Sequence, residues 1–200
     1  MTEPTLPGIL PPVRDELDRR YTPQSLADAI VDRLHITPKR VLEPSVGGGA
    51  FARAARRRWP ACKVFGVDVD PASPGANKCN AWLCGDFLSF KPSMLEHVDL
   101  ILGNPPFGQA LDHVRHALTF ECPVVFVLPL AYLGVQSWAP FLTGLQRPVF
   151  VWPIVGRPWN VLREAAVYGW DPRRSPGDET TLALLTDWGR VRELPTGTSA

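Results

Sequence analysis

The chain has 200 residues, of which 45% are apolar and 10% aromatic, a composition that supports one sizeable hydrophobic core. Its formal net charge of +1 carries no overall signature of a nucleic-acid-binding protein. The longest apolar run, from Val124 to Val135, contains Pro129 and Gly134 and is too short to span a bilayer. The first residues lack the basic and apolar regions of a secretory signal, so we expect a soluble, cytoplasmic protein.

The cysteines and histidines show no pattern of a metal site or a disulfide framework. The four cysteines have no CxxC spacing, and the four histidines are scattered along the chain. We therefore expect reduced thiols in or near a core, and no bound metal. The arginines at 53 and 56–58 predict a solvated helix face, which is weak evidence for a nucleic-acid surface.

The first half of the chain alternates between predicted helices and strands. Residues 1–20, rich in proline, are expected to form an extended or disordered lead-in. Thr22 as an N-cap, with Pro23 at the first helical position, predicts a helix over residues 21–34. A buried strand, a glycine-rich turn and a helix starting near Gly49 follow in the segment RVLEPSVGGGAFARAARRR. Three more segments predict the second, third and fourth strands: KVFGVDVDP, AWLCGDFLSF and VDLILGNPP.

The second half continues the alternation and predicts the fold class. LDHVRHAL predicts a helix, and the almost continuously apolar PVVFVLPL predicts a fifth strand that is covered on both faces. A helix around 135–144 and the strand-like PVFVWPI come next. The last two strand candidates, EAAVYGW and TTLALLTDW, are expected to form an antiparallel pair. The pattern predicts an α/β doubly wound sheet in a single domain over residues 21–194, with a frayed tail at 195–200.

A glycine-rich turn and three acidic residues predict a ligand crevice at the carboxyl edge of this sheet. Residues 47–49 are all glycine and lie between a strand and a helix, where backbone amides can approach a ligand closely; a plain tight connection is the alternative. Asp68 ends the second strand, where an acid can accept the hydroxyls of a ribose. Glu43 can hold an ammonium group, and Asp86 can accept a hydrogen bond from an adenine amine.

Three acids after three successive strands restrict the class of ligand. They suit a molecule with a ribose, an amine and an adenine better than a pyrophosphate, which carboxylates would repel. The cationic S-adenosylmethionine matches this description. The alternative, in which each acid caps a helix or turn, applies to each one alone more readily than to all three together.

The stretch DLILGNPPFG predicts a site for a planar amine. The side-chain carbonyl of Asn104 and the main-chain carbonyl of Pro105 are two acceptors on a turn that its two prolines stiffen. Together they can hold both hydrogens of one –NH₂ group and stabilise the positive charge that the nitrogen gains during attack. Phe107 can stack on a base, and in duplex DNA that base would be flipped out to reach it. An ordinary proline-rich turn with an aromatic plug is the alternative.

These residues resemble the S-adenosylmethionine-dependent, adenine-N6 DNA methyltransferases that carry an Asn-Pro-Pro-Phe motif. The resemblance covers residues 21–135 and runs in order through YTPQSLADAI, VLEPSVGGGAF, GVDVDP, GDFL, NPPFG and VVFVLPLAYL. Such an order, with a Thr-Pro helix and the cofactor motifs ahead of the catalytic motif, is similar to the gamma-type arrangement. It implies a Rossmann-like, mostly parallel seven-stranded sheet with an antiparallel last strand and helices on both faces.

The resemblance also implies roles for individual residues, with S-adenosylmethionine as the methyl donor and no metal. The implied cofactor positions are Thr22, Glu43, Pro44, Gly47, Gly49, Asp68, Asp86, Phe87 and Asn104. The implied catalytic positions, which also bind the target adenine, are Asn104, Pro105 and Phe107. Thr22 would bind the methionine carboxylate, and Trp159 in GRPWN is a candidate second stacking surface for the base. Packing of Trp159 under a loop is an equal alternative.

Two departures from the family pattern affect these expectations. The predicted catalytic core would use nearly the whole chain, so we expect no separate target-recognition domain, and sequence selectivity would be short or loose, or would need a partner. The stretch between Asp70 and Trp82 predicts a loop where relatives have a helix, which would reshape the adenine pocket.

Several functions share the predicted chemistry. The leading hypothesis is direct in-line methylation of the N6 amine of adenine in DNA. The alternatives are methylation of an adenine or guanine amine in RNA, or of a glutamine amide in protein, because each presents a planar –NH₂. A non-catalytic cofactor-binding partner subunit is a further alternative, although such relatives normally lose the Asn104 turn.

Overall fold

The described part of the chain builds one mixed sheet with helices packed on it. This computed structural model describes residues 21–95, 97–143, 146–156, 164–175, 178–186 and 188. Its strands are β1 (Arg40–Glu43), β2 (Lys63–Asp68), β3 (Ala81–Cys84), β4 (Leu100–Gly103), β5 (Val124–Pro129), β6 (Phe150–Pro153), β7 (Ala165–Trp170) and β8 (Thr181–Leu182). Its α-helices are α1 (Gln24–Arg33), α2 (Ala50–Arg58), α3 (Ala110–Leu118) and α4 (Ala139–Leu142).

The sheet has the order β3-β2-β1-β4-β5-β7-β6-β8. Strands β1 to β5 pair in parallel, and β7 runs antiparallel between β5 and β6. The predicted mixed α/β sheet is therefore present, but it has eight strands rather than seven because the two-residue β8 pairs with β6. The antiparallel strand is also not the last one in the chain, since β8 follows it.

The predicted pairing of the two C-terminal segments is wrong. EAAVYGW contains β7, which pairs with β5 on one side and β6 on the other. TTLALLTDW contains β8, which runs parallel to β6. All six residues of β7 are buried, so its backbone groups need hydrogen-bonding partners along both edges. The six-residue β5 and the four-residue β6 provide those partners, which the two-residue β8 cannot do alone.

The core lies on both faces of the sheet, as the apolar strands predict. Alternate residues of β4 point to opposite faces: Leu100 and Leu102 pack with α1 and α2, whereas Ile101 packs with α3. All six residues of β5 are buried, which confirms the prediction that this strand is covered on both faces.

The helix boundaries agree with the predictions to within a few residues. Helix α1 begins at Gln24 with Pro23 as its N-cap, one residue later than predicted. Arg57 joins α2 to α1 through contacts with Asp28 at 3.1 Å and Asp32 at 2.8 Å, so this part of the arginine cluster also links two helices. The helix predicted around 135–144 is a single 3₁₀ turn followed by α4.

The connection from β2 to β3 is a loop, as predicted. Between Asp70 and Trp82 the described structure has only a single 3₁₀ turn at Ala76–Lys78. Strand β3 lies at one end of the sheet, and three of its four residues are exposed, including Leu83 at 49%. An α-helix in this connection would normally shield such an edge.

The described residues were compared with the requirements of a membrane-spanning helix and of a metal site. None of their helices combines the length and the apolar character that crossing a membrane requires. Within the same residues, no three histidine, cysteine or acidic side chains cluster as a metal site would. The predicted lead-in at 1–20 and tail at 195–200 lie outside the described residues.

Candidate functional site

One cleft at the carboxyl ends of β1, β2 and β4 contains most of the predicted site residues. It holds about 890 Å³ of space outside the protein atoms, part of it open to solvent. The predicted residues that line it are Thr22, Glu43, Pro44, Gly47, Asp68, Asp86, Phe87, Asn104, Pro105 and Phe107. Gly49 does not line the cleft, and Trp159 lies outside the described residues.

The glycine turn at one wall of the cleft is shaped by close backbone contacts. Gly47 has a φ of +48°, a conformation that side-chain-bearing residues rarely adopt. A Cβ atom on Gly47 would lie 3.0 Å from Cδ1 of Tyr21, whose ring covers the turn. Glycine at this position therefore satisfies both the backbone geometry and the approach of an aromatic side chain.

Gly49 has a structural role at the start of α2. Its φ is +73°, and a Cβ atom there would lie 2.8 Å from the Cα atom of Gly75. The position thus lets the β2–β3 loop approach the glycine turn backbone to backbone. The predicted contact of Gly49 with a cofactor has no support from the lining of the cleft.

Asp68 ends β2 and already supports the glycine turn. Its Oδ2 atom accepts a hydrogen bond from the Gly47 N–H at 2.7 Å, and Oδ1 accepts one from the Asp70 N–H at 2.9 Å. The Ser73 hydroxyl lies 3.3 Å from Oδ2. An ionised carboxylate has about four acceptor positions, so Asp68 retains capacity for a ligand hydroxyl.

Glu43 ends β1 and is a buried acid at the base of the cleft. Its side chain is 2% exposed, and its Oε2 atom has no hydrogen-bond partner among the described residues. Burial raises the pKa of its carboxyl group well above 4.5, Asp68 adds to this, and the Ala52 N–H and Arg53 act in the opposite direction. A buried oxygen without a partner is unfavourable, so the site favours a ligand with a hydrogen-bond donor or a positive charge.

Asp86 and Phe87 follow β3 and also line the cleft. Asp86 is exposed, and its Oδ1 atom accepts a hydrogen bond from the Leu88 N–H at 2.9 Å. This is the capping role that the sequence left as an alternative, although the residue also lines the cleft. Phe87 is 1% exposed and packs against His113 and His116, with ring centroids 5.6 and 4.8 Å apart.

The turn after β4 brings the Asn-Pro-Pro-Phe segment to the same cleft. Strands β1 and β4 are parallel neighbours, and a Cβ atom on Gly103 would lie 3.3 Å from Cδ of Pro44. The two turns that follow these strands are therefore in contact. Asn104 is half-buried, and Phe107 is only 8% exposed.

Several residues that line the cleft were missed by the sequence analysis. They are Tyr21, Ser45, Asp70, Ser73, Gln109 and His113. His113 is 3% exposed, its Nδ1 atom lies 3.0 Å from the Gln109 carbonyl oxygen, and burial lowers the pKa of its imidazole. The spacing of these two residues by four positions, directly after the Asn-Pro-Pro-Phe turn, was a usable helical signal.

Comparison with known proteins shows partial sequence similarity to methyltransferases. No protein-family model matches the chain. The type II methyltransferase M.CvrRI of Paramecium bursaria Chlorella virus XZ-6E is 31% identical over 100 residues, which are 48% of this chain and 26% of that protein. M.TthHB8I of Thermus thermophilus, also a type II methyltransferase, is 38% identical over 107 residues, 51% of this chain and 24% of that protein. The chain spans about a quarter of the length of these curated relatives.

Solved structures share the fold over a larger part of the chain. The M protein of the type I restriction enzyme EcoKI has a TM-score of 0.67 at 14% identity, covering 86% of this chain and 49% of that protein. The type I restriction-modification methyltransferase subunit of Streptococcus thermophilus has a TM-score of 0.64 at 15% identity, covering 78% and 46%. This chain therefore has the mixed α/β fold of methyltransferases. About half of its length is similar in sequence to type II methyltransferases.

Proposed function

We propose that this protein transfers a methyl group from S-adenosylmethionine to the exocyclic N6 amine of adenine in DNA. The observation that carries the proposal is that one cleft joins the acidic pocket at Glu43 and Asp68 to the turn at Asn104. Similarity to type II methyltransferases in sequence and to type I methyltransferase subunits in fold supports the reaction class. Adenine as the target, and the roles of individual residues, are part of the proposal.

The residues of the cleft fit S-adenosylmethionine. The buried Oε2 atom of Glu43 lacks a partner among the described residues, and the ammonium group of the cofactor's methionine part would supply one. Asp68 would accept hydrogen bonds from the ribose hydroxyls, and Asp86 with Phe87 would hold the adenine. Thr22 borders the cleft near the glycine turn, where it would bind the carboxylate. When bound, the cofactor supplies an electrophilic methyl group on a positively charged sulfur.

On the target side, the Asn104 turn would hold and polarise the amine. The Asn104 side-chain carbonyl and the Pro105 main-chain carbonyl would accept one hydrogen each from the –NH₂ group. These acceptors favour a tetrahedral nitrogen and stabilise its growing positive charge, an electrostatic contribution that increases in the transition state. The N–C bond forms as the C–S bond breaks, and the nitrogen then releases a proton to solvent. No covalent intermediate with the protein is required.

Phe107 and the flipped base complete the proposed arrangement. A duplex hides the N6 amine in the base stack, so the target adenine would have to rotate out to reach the cleft. Phe107 borders the cleft and would pack against the base, a contact of the kind that contributes about 1–3 kcal/mol per base. We place sequence selectivity outside the cleft, on a partner or another surface, because in the proposed arrangement the cleft residues would contact only one base.

A methyl-transfer assay with competing acceptors tests the proposal. Purified protein and tritiated S-adenosylmethionine are mixed with DNA from a methylation-deficient host, with RNA, or with denatured protein, and the Asn104→Ala variant measures the background. We expect label in DNA, recovered as N6-methyladenine after digestion to nucleosides. Label that enters only RNA or only protein would contradict DNA as the substrate. Label in a DNA base other than adenine would contradict adenine as the target.

A further inference from the structure

Tyr132 contacts the turn that carries the proposed amine-binding residues. It lies in the 3₁₀ segment Leu130–Gly134, directly after β5. Its hydroxyl donates a hydrogen bond to the main-chain carbonyl of Phe107 at 2.8 Å. The same carbonyl also accepts the N–H of Ala110 at the start of α3. Tyr132 thus adds a side-chain hydrogen bond at the point where the turn becomes a helix.

The ring of Tyr132 is held in place from the other side. It stacks on the ring of Trp138 with centroids 4.4 Å apart and an interplanar angle of 16°. Trp138 is itself 3% exposed and belongs to the core on the α3 face of the sheet. Because a packed aromatic ring has few accessible rotamers, the direction of the Tyr132 hydroxyl is restricted.

A second tyrosine holds the beginning of the same segment. Tyr168 lies on β7, is fully buried, and places its hydroxyl 3.2 Å from the Pro129 carbonyl and 3.4 Å from the Leu130 carbonyl. Burial raises the pKa of the Tyr168 phenol, which keeps this hydroxyl protonated as a donor. A line of contacts therefore runs from the antiparallel strand, through the segment after β5, to the Phe107 carbonyl.

We propose that Tyr132 is a positioning residue for methyl transfer. It fixes the Asn104–Phe107 turn through the Phe107 carbonyl and so holds the two amine acceptors in their geometry. The inference rests on the proposed function and adds a residue that the cofactor and amine sites do not include, since Tyr132 does not line the cleft. Pre-set acceptors matter because a displacement of about 1 Å can cost about 100-fold in rate.

The variant Tyr132→Phe tests the proposal because it removes only the hydroxyl and keeps the ring against Trp138. We expect kcat for methyl transfer to DNA to fall about tenfold, a fraction of the full misplacement cost. The KM for S-adenosylmethionine and the Kd for S-adenosylhomocysteine should stay within twofold of the wild-type values. Thr119→Val is the matched control, because the Thr119 hydroxyl bonds the His116 carbonyl at 2.7 Å on the far end of α3. It should keep the wild-type kcat.

A hydrogen-exchange measurement makes the test independent of turnover. The Gln109 N–H bonds the Pro106 carbonyl at 3.0 Å within the same turn, so its exchange reports how firmly the turn is held. We expect several-fold faster exchange of this amide in Tyr132→Phe and no change in Thr119→Val.

The outcomes separate the two proposals. Wild-type kcat in Tyr132→Phe, or an equal loss in Thr119→Val, overturns the positioning role. A loss of kcat that comes with weakened cofactor binding also overturns the positioning role, because the substitution would then act on the cofactor site and not on the two amine acceptors alone. Wild-type protein that methylates no acceptor overturns the proposed function, and the exchange of the Gln109 amide then still decides whether Tyr132 holds the turn.

Discussion

Gly49 and Gly75 face each other backbone to backbone and join the glycine turn to the loop after β2. A Cβ atom on Gly75 would lie 2.6 Å from the Cα atom of Gly49, and the Gly75 N–H donates to the Gly47 carbonyl at 2.8 Å. The loop between β2 and β3 is thus not a loose connection. It packs on the wall of the cleft and supports it.

We expect Gly75→Ala to destabilise the protein by about 1–3 kcal/mol, because the added methyl group forces packed backbone apart. The φ of Gly75 is −85°, which alanine also adopts, so the destabilisation would come from steric overlap and not from backbone strain. Thermal unfolding measures it. Gly134→Ala is the control, since a Cβ atom there meets nothing within 4 Å. Equal melting temperatures for the two variants would contradict the contact.

Glu43→Gln should change how stability depends on pH in the absence of cofactor. The folded-state pKa of Glu43 is raised by burial, so the wild-type protein loses stability as pH rises from the unfolded-state pKa, near 4.5, through the folded-state pKa. Glutamine does not titrate. The melting temperature of the variant minus that of wild type should therefore increase as the pH rises above about 4.5 and through the folded-state pKa.

The same variant should bind S-adenosylmethionine more weakly, because it lacks the charge that would pair with the ammonium group. Isothermal titration calorimetry in buffers of different ionisation enthalpy should detect proton release on binding to wild type and less of it with the variant. Parallel stability curves for the two proteins, together with equal cofactor affinities, would remove Glu43 from the proposed site.

Asp68→Asn should weaken cofactor binding by at least about tenfold, since hydrogen bonds to charged groups contribute about 1.5–3 kcal/mol. The substitution removes the negative charge of the side chain that would accept hydrogen bonds from the ribose. It also disturbs the hydrogen bond that Asp68 accepts from the Gly47 N–H. Asp112→Asn is the matched control, because its carboxylate pairs with Arg115 on an exposed helix face. Calorimetry of both variants checks the expectation. Unaltered affinity in Asp68→Asn would rule out the ribose contact.

Asn104→Ala should reduce methyl transfer by about 100- to 1,000-fold, the usual cost of removing one donor or acceptor aimed at transition-state charge. Cofactor affinity should remain close to that of wild type, since the remaining cleft residues are untouched. Single-turnover rates with saturating cofactor measure the effect. A rate equal to that of wild type would refute the amine contact.

Local sequence patterns were sufficient for the strands and turns that build the cleft. The apolar runs of β1, β2 and β4, each followed by a polar or glycine residue, predicted that Glu43, Asp68 and Asn104 would meet at one edge. This succeeded because parallel strands place their carboxyl ends together whatever their distance in sequence. The absence of a helix between β2 and β3 was also visible, since proline, glycine and asparagine interrupt any helical period there.

Contacts between residues that are distant in sequence could not be predicted from local patterns. The position of β7 between β5 and β6 depends on pairing between distant segments, which local alternation of apolar residues does not encode. The burial of Phe107 depends on packing, because nothing next to it in sequence distinguishes an exposed aromatic from a covered one. The contact between Gly49 and Gly75 likewise joins two loops that are distant in sequence, so the sequence alone did not reveal this structural role of Gly49.

The cleft draws its lining from one part of the described chain, with its last contributor at His113. None of the described residues from β5 onward lines the cleft; β5 supports it by pairing with β4, and the hydroxyls of Tyr168 and Tyr132 link β7 to the Phe107 carbonyl. We therefore expect substitutions at exposed positions after β5 to leave the proposed cofactor binding unchanged. Substitutions that displace the hydroxyls of Tyr132 and Tyr168 should instead slow the proposed methyl transfer without weakening the proposed cofactor binding.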